Sequence, residues 1–223
     1  MKYFSLLAAI VLALASCKSK DDNSNPTPSG LLSGYLTVAR QLDLDSPATK
    51  YTEQAWAAFF MHPYEQPGDT MHIVVDSVRL NGMNTALDNM TRTYRISGTL
   101  QANSNCNWQV WSGTNIASFS YSFTTPYPSY TTAMPDTIDR STGFAIGLPT
   151  GADSATILLS GNVSLMNSFK GPSGGYSASD LANFNGGAAV LEVTGYKKSV
   201  QAFGGKNFLF TKQTTKTKAL WLK

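Results

Sequence analysis

Histidine and cysteine are nearly missing from this chain: each occurs twice in 223 residues. No spaced Cys/His cluster for zinc can be drawn from so few, and a Ser-His-Asp triad has little to work with. The Gly-x-Ser-x-Gly elbow of serine hydrolases, the phosphate loop and the dinucleotide fingerprint are absent as well. Charged residues make up 14%, and a net charge of +3 is too small to imply nucleic-acid binding. After the first 16 residues no stretch reaches the roughly 18 apolar residues of a membrane-spanning helix. The long amphipathic crossovers of a parallel α/β sheet are also lacking. Ser, Thr, Gly and Asn are plentiful, the balance of an extracellular β-protein whose outward faces carry hydroxyls.

The N-terminus is different in kind. Lys2 gives a positive start, and Phe4 to Ala15 is an almost purely apolar run, too short to span a bilayer as a helix. It ends in Leu14-Ala15-Ser16-Cys17, with small residues where a peptidase needs close backbone access. This segment resembles the signal sequences of bacterial lipoproteins. The resemblance implies cleavage before Cys17, diacylglycerol on its sulfur and an acyl chain on its new amino group. Each buried methylene contributes about 0.8 kcal/mol, so two or three chains hold a protein almost permanently. Lys18-Ser19-Lys20-Asp21-Asp22 is similar to the short export signals of Bacteroidota surface lipoproteins. That likeness implies a bacterial outer membrane location, lipid-anchored and exposed at the cell surface; a plain solvated tether is the alternative. Asn23 to Gly30 has two prolines and no apolar residue, which predicts a flexible spacer. Residues 1–16 are thus read as signal peptide and 17–30 as lipidated tether. Committing Cys17 to lipid leaves Cys106 without a disulfide partner, as a buried or half-buried thiol.

Period-2 alternation dominates the rest. Phe119, Tyr121 and Phe123 alternate with Ser118, Ser120, Ser122 and Thr124, which predicts three aromatics inward and hydroxyls outward. Trp108 and Trp111 fall on opposite faces of one strand, so one of them is expected outside. Further strands are expected at 34–41, 54–61, 72–80, 94–100, 143–148, 155–160, 188–196, 207–212 and 218–222. Asn81-Gly82, Pro126 to Pro128, Pro149 to Gly151, Gly171 to Gly175 and Gly204-Gly205 punctuate them as turns or loops. One helical turn is expected near Ser177 to Asn183, capped by Ser177 or Ser179, with Leu181 as a core plug. The late lysines, Lys197, Lys198, Lys206, Lys212, Lys216, Lys218 and Lys223, read as a solvated face that blunts an edge strand.

The fold class is therefore all-β, an Ig-like antiparallel β-sandwich built as two tightly packed subdomains over 31–116 and 117–223. A single jelly-roll-like sandwich is the alternative. The layout resembles Ig-like surface lipoproteins of Bacteroidota, and that resemblance carries no catalytic motif with it.

Candidate sites are few. Tyr127 and Tyr130 in a proline-stiffened loop, with Trp111 and Tyr176, could offer an aromatic platform for a sugar. His62 and His72, ten residues apart and near Met61, Met71, Met83 and Met90, could ligate haem or a metal. Asp43 with Asp45, and Asp136 with Asp139, could hold calcium. Four triplets of the pattern Asp-Ser/Thr-apolar place hydroxyls at Thr70, Ser77, Thr137 and Ser154. They resemble O-glycosylation sites of exported Bacteroidota proteins. The physical alternative is that Asp-Ser/Thr closes a turn and the apolar residue opens a strand. The expected function is non-enzymatic: a surface-anchored module that binds a glycan or an envelope protein, or serves the envelope structurally. A haem- or metal-capturing lipoprotein and a polysaccharide hydrolase are the alternatives.

Overall fold

The computed structural model describes residues 32–42, 51–64, 72–96, 105–113, 115–131 and 133–223. Cys17, the tether, Asp43, Asp45, Thr70 and Met71 lie outside them. The described chain forms fifteen strands and one short helix. The strands are β1 (Leu32–Leu42), β2 (Tyr51–Tyr64), β3 (Ser77–Leu80), β4 (Met83–Asn84), β5 (Ala86–Asp88), β6 (Thr93–Ile96), β7 (Cys106–Trp111), β8 (Phe119–Phe123), β9 (Thr137–Ile138), β10 (Phe144–Gly147), β11 (Ser154–Ser160), β12 (Ser164–Phe169), β13 (Ser173–Tyr176), β14 (Gly187–Phe203) and β15 (Lys206–Leu222); helix α1 is Ala178–Leu181.

A nine-stranded sheet runs β12-β11-β14-β15-β1-β2-β6-β5, with β9 added beside β15. Two smaller sheets pack against one face of it. The four-stranded sheet β4-β3-β7-β8 covers one end and the β10-β13 pair, with α1, covers the other. This is a layered all-β sandwich. Two pairings depart from the antiparallel expectation: β15 pairs in parallel with β1 and with β9. No crossover helix is needed for β1·β15, because nearly the whole described chain lies between those two strands.

The hairpin β14–β15 organises everything. Each arm has 17 residues, about 55 Å at roughly 3.4 Å per residue. Its tight turn is Gly204-Gly205, both at positive φ (56° and 76°), which L side chains rarely adopt. Along β15 the inward residues read Phe208, Phe210, Lys212, Thr214, Lys216, Lys218, Leu220 and Leu222. The apolar ends seed two separate cores. Phe208 and Phe210 join Leu36, Phe59, Trp108, Phe119 and Phe123. Leu220 and Leu222 join Ile157, Leu159, Leu181, Leu191 and Val193. The expected junction at 116/117 lies in the loop joining β7 to β8, two strands that pair with each other, and Phe119 and Phe123 of β8 belong to the first core.

Several local expectations hold. Phe119 and Phe123 are buried while Ser120 and Ser122 are exposed. Ser177 caps α1 in a capping box with Asp180, and Leu181 is fully buried. The stretch expected to be a loop at Gly171 to Gly175 is instead partly strand. A Cβ on Gly175 would drive into the Phe144 carbonyl oxygen and one on Gly174 into the Phe169 ring, so glycine is what lets β13 lie against β10 and β12. The lysine reading also needs correction. β15 is a central strand, and Lys212 is fully buried.

Candidate binding surface

The gap between the two cores is filled by the loop expected to be an exposed aromatic platform. Lys212 Nζ donates to the carbonyls of Phe123 (2.6 Å) and Thr125 (2.7 Å), pinning the loop to the centre of β15. The Tyr127 ring lies under the Arg40 guanidinium, 3.6 Å from its centroid, and 5.0 Å from Lys212 Nζ. The Tyr127 hydroxyl is 3.3 Å from Cys106 Sγ. Arg40 also pairs with the buried carboxylate of Glu53. Burial pushes both the Cys106 thiol and the Tyr127 phenol above their ordinary ranges, and holds the Lys212 ammonium below its own. Gly195 leaves room for the loop: a Cβ there would meet Pro149 at 3.0 Å and Pro128 at 3.1 Å. Into that room comes the Tyr130 hydroxyl, within 2.5 Å of Val193 O and 2.7 Å of Thr214 O, while accepting the Gly195 N–H at 3.0 Å. Tyr127 and Tyr130 are therefore waist plugs and not a sugar platform.

Tyr176 is likewise structural. It is buried, with its hydroxyl 2.8 Å from Ile157 O and 2.6 Å from Leu165 O. Of the four proposed ligand aromatics, Trp111 alone faces solvent, 38% exposed, with the Arg79 guanidinium 5.1 Å from its ring centroid. Its neighbour Trp108 is buried, as opposite faces require.

The histidine pair is only partly visible. His72 forms a bridge with Phe60 and its ring stands edge-on to that phenyl at 5.1 Å. Burial lowers its pKa, and Nδ1 has no hydrogen-bond partner among the described residues. The backbone of His62 lies two positions beyond Phe60 in β2; its side chain is outside the described residues. The calcium pair Asp136 and Asp139 is engaged separately. Asp136 pairs with Lys218 at 2.5 Å, and Asp139 accepts the Ser141 N–H at 2.8 Å and its hydroxyl at 2.7 Å. Other acids are also occupied: Asp153 pairs with Lys197 and Asp180 with the Ser177 cap. Among the described residues, no three His, Cys, Asp or Glu side chains gather where they could hold a metal ion. A cavity between Tyr130, Met134, Ile146 and Val193 holds about 20 Å³, room for one water.

What the topology does assemble is the outer face of the large sheet, opposite both cores. One cross-strand row runs Ser168, Thr156, Thr194, Thr215, Gln41, Thr52 over six strands. Within it, Thr156 bonds Ser168 at 3.1 Å and Thr194 bonds Thr215 at 2.9 Å. A second row runs Lys198, Thr211, Thr37, Trp56, Arg95. Between them lie Tyr196, Gln213, Ala39 and Gln54. Beside the first row stand Leu158, Glu192 and Thr217; burial raises the Glu192 carboxyl pKa. Farther along, Val190 is 40% and Trp221 55% exposed. On this face Thr37, Thr156, Thr194, Thr211 and Tyr196 are buried, while Ser168, Thr52 and Trp221 are exposed and Thr215, Gln41 and Trp56 half-buried, so the accessible part offers hydroxyls, amides and indole surface. Sequence reading missed half-buried Trp56 and Glu192 and exposed Trp221 as features of this face. The signal for Trp221 was present, since Leu220 and Leu222 flank it in a strict alternation.

Fold and surface define a two-core all-β sandwich with a broad polar sheet face. No protein-family model, curated protein or solved structure matches the chain.

Proposed function

We propose that this chain is a non-enzymatic, lipid-anchored bacterial surface protein that binds a neutral glycan on the outer face of its nine-stranded sheet. One observation carries the binding reading: the six-strand row from Ser168 to Thr52 is uncharged, with Ser168 and Thr52 exposed, Thr215 and Gln41 half-buried, and half-buried Trp56 in the second row. Neutral sugars present the matching hydroxyls, and stacking on aromatic surface adds to their hydrogen bonds. The anchor rests on the resemblance at Leu14 to Cys17, and outer-membrane surface exposure on the likeness of Lys18 to Asp22. Under the same reading the Asp-Ser/Thr-apolar triplets carry O-linked glycans. An envelope protein is the competing partner, and the membrane is contacted through the lipid alone.

The test uses full-length protein purified from a Bacteroidota host. On a glycan array, Thr215→Lys, which places a charge in the middle of the row, is expected to reduce retention at least tenfold. Retention equal to the parent removes the sheet face from consideration. Cys17→Ala is expected to move the protein from the detergent phase to the aqueous phase.

A second reading, haem or metal capture, draws support from one placement: the cross-strand partner of His72 lies two residues from His62. Hemin titration checks it, and an absorption spectrum equal to free hemin dismisses it.

A further inference from the structure

Three Asp-Ser/Thr-apolar triplets lie among the described residues, and each one opens a strand. Ser77 starts β3, Thr137 starts β9 and Ser154 starts β11. The third residue of each, Val78, Ile138 or Ala155, is buried, and each preceding Asp is exposed. The pattern therefore has a folding role, as turn closure predicts. It also has a feature that turn closure does not require. Each hydroxyl residue stands directly across the ladder from an aromatic: Ser77 from Trp111, Thr137 from Trp221, Ser154 from Tyr196. Directly opposed residues share a face, with Cβ atoms about 5 Å apart. Backbone bonds fix every pair. Asp76 N–H donates to Trp111 O at 2.9 Å, Trp221 N–H to Asp136 O at 3.0 Å and Asp153 N–H to Tyr196 O at 2.7 Å.

The three facing rings differ in availability. Trp221 and Trp111 are exposed, whereas Tyr196 is buried on the sheet face and 9% exposed. Thr137 is exposed and Ser77 half-buried.

We infer that Ser77 and Thr137 carry O-linked sugars whose first ring lies against Trp111 and Trp221 respectively. The inference rests on reading the triplets as glycan-bearing, and adds where the sugar sits. The positions favour covalent attachment over recognition of a free glycan. Ser77 and Trp111 belong to the four-stranded sheet, while Thr137 and Trp221 lie at the far end of the nine-stranded one. Contacts to a single ligand converge, and these do not. In the transfer, the hydroxyl oxygen attacks the anomeric carbon of an activated glycosyl phosphate donor. A C–O bond forms there, the bond to the phosphate oxygen breaks with its electron pair, and the hydroxyl proton passes to a base on the transferase. The new linkage leaves the C–H face of the sugar beside the indole.

Two measurements on full-length protein from a Bacteroidota host test this. Intact mass and peptide mapping are expected to show hexose-containing additions on Ser77 and Thr137, each lost singly in Ser77→Ala and Thr137→Ala. Proton NMR is expected to show ring protons of the Thr137 sugar shifted upfield by the indole, and this shift lost in Trp221→Ala. The Ser77 sugar should behave in the same way with Trp111→Ala. A sugar on Ser154 should show no such shift, because Tyr196 is already covered. Additions at both sites with unshifted sugar protons overturn the ring contact and leave glycosylation standing. An unmodified native mass overturns both, including the case where a free oligosaccharide quenches tryptophan fluorescence.

Discussion

The two cores share one sheet face and two strands, yet they are packed by different chemistry. The first is a cluster of rings. Phe119 stacks on Phe203 at 4.4 Å and 7°, Tyr121 meets Phe210 at 4.3 Å, and Phe59 stands edge-on to Tyr94 and Phe208. It borders buried charge, with Lys212, Arg40 and Glu53 beside Cys106 and Tyr127. The second is mainly aliphatic, built from Ile138, Ile146, Ile157, Leu159, Leu181, Leu191 and Val193, with the Tyr176 hydroxyl satisfied on backbone carbonyls. Rings in fixed orientations and ions that need partners tolerate little change. Aliphatic side chains of similar volume exchange more freely.

The largest break in this comparison is expected from Lys212→Ala. It removes the donor shared by the Phe123 and Thr125 carbonyls, and should lower stability by about 3 kcal/mol or more in urea unfolding. A loss below 1 kcal/mol would show that the waist carries little of the fold.

Alkaline pH comes next. The Cys106 thiol and the Tyr127, Tyr130 and Tyr176 phenols all titrate higher folded than unfolded because of burial. Their ordinary values are 9.0 for the thiol and 10.0 for the phenols. The unfolded chain releases these protons first, so stability is full below pH 9 and falls as pH climbs above it. The Lys212 and Lys198 ammoniums, shifted downward by burial, oppose this in part. Urea midpoints measured from pH 8 to 11 should therefore decline, and a flat profile would contradict the burial of these groups.

The aromatic and aliphatic cores can then be compared directly. Phe119→Leu is expected to cost about 1–3 kcal/mol through lost stacking and volume, against less than about 1.5 kcal/mol for Leu159→Met. Equal losses would erase the distinction between the cores. Smallest of all, Trp221→Ala should change the stability of unglycosylated protein by no more than about 0.5 kcal/mol, since its ring faces solvent.

Much of the strand inventory was legible because alternation is a local signal. The Phe119–Phe123 pattern, the opposed Trp108 and Trp111, the Ser177–Asp180 cap and the Gly204-Gly205 turn each depend on a few adjacent residues. The waist and the outer sheet face were not legible in the same way. Tyr127 and Tyr130 read as exposed because prolines flank them, but Gly195, far along the chain, supplies the space that takes them in. Lys212 read as solvated because lysine usually is, and two carbonyls from the β8 loop reverse that. The Ser168-to-Thr52 row draws one residue from each of six strands, so no window of sequence contains it.

What the sequence by itself determined is the all-β character and many of the places where strands begin and turn, since each follows from the conformational preferences of neighbouring residues. Only the tertiary structure decided that β15 lies in the middle of its sheet, that two cores form on one face, and which hydroxyls meet which rings. Strand partners are chosen by long-range burial and register, and a period of two residues says which face a side chain takes without saying what stands opposite.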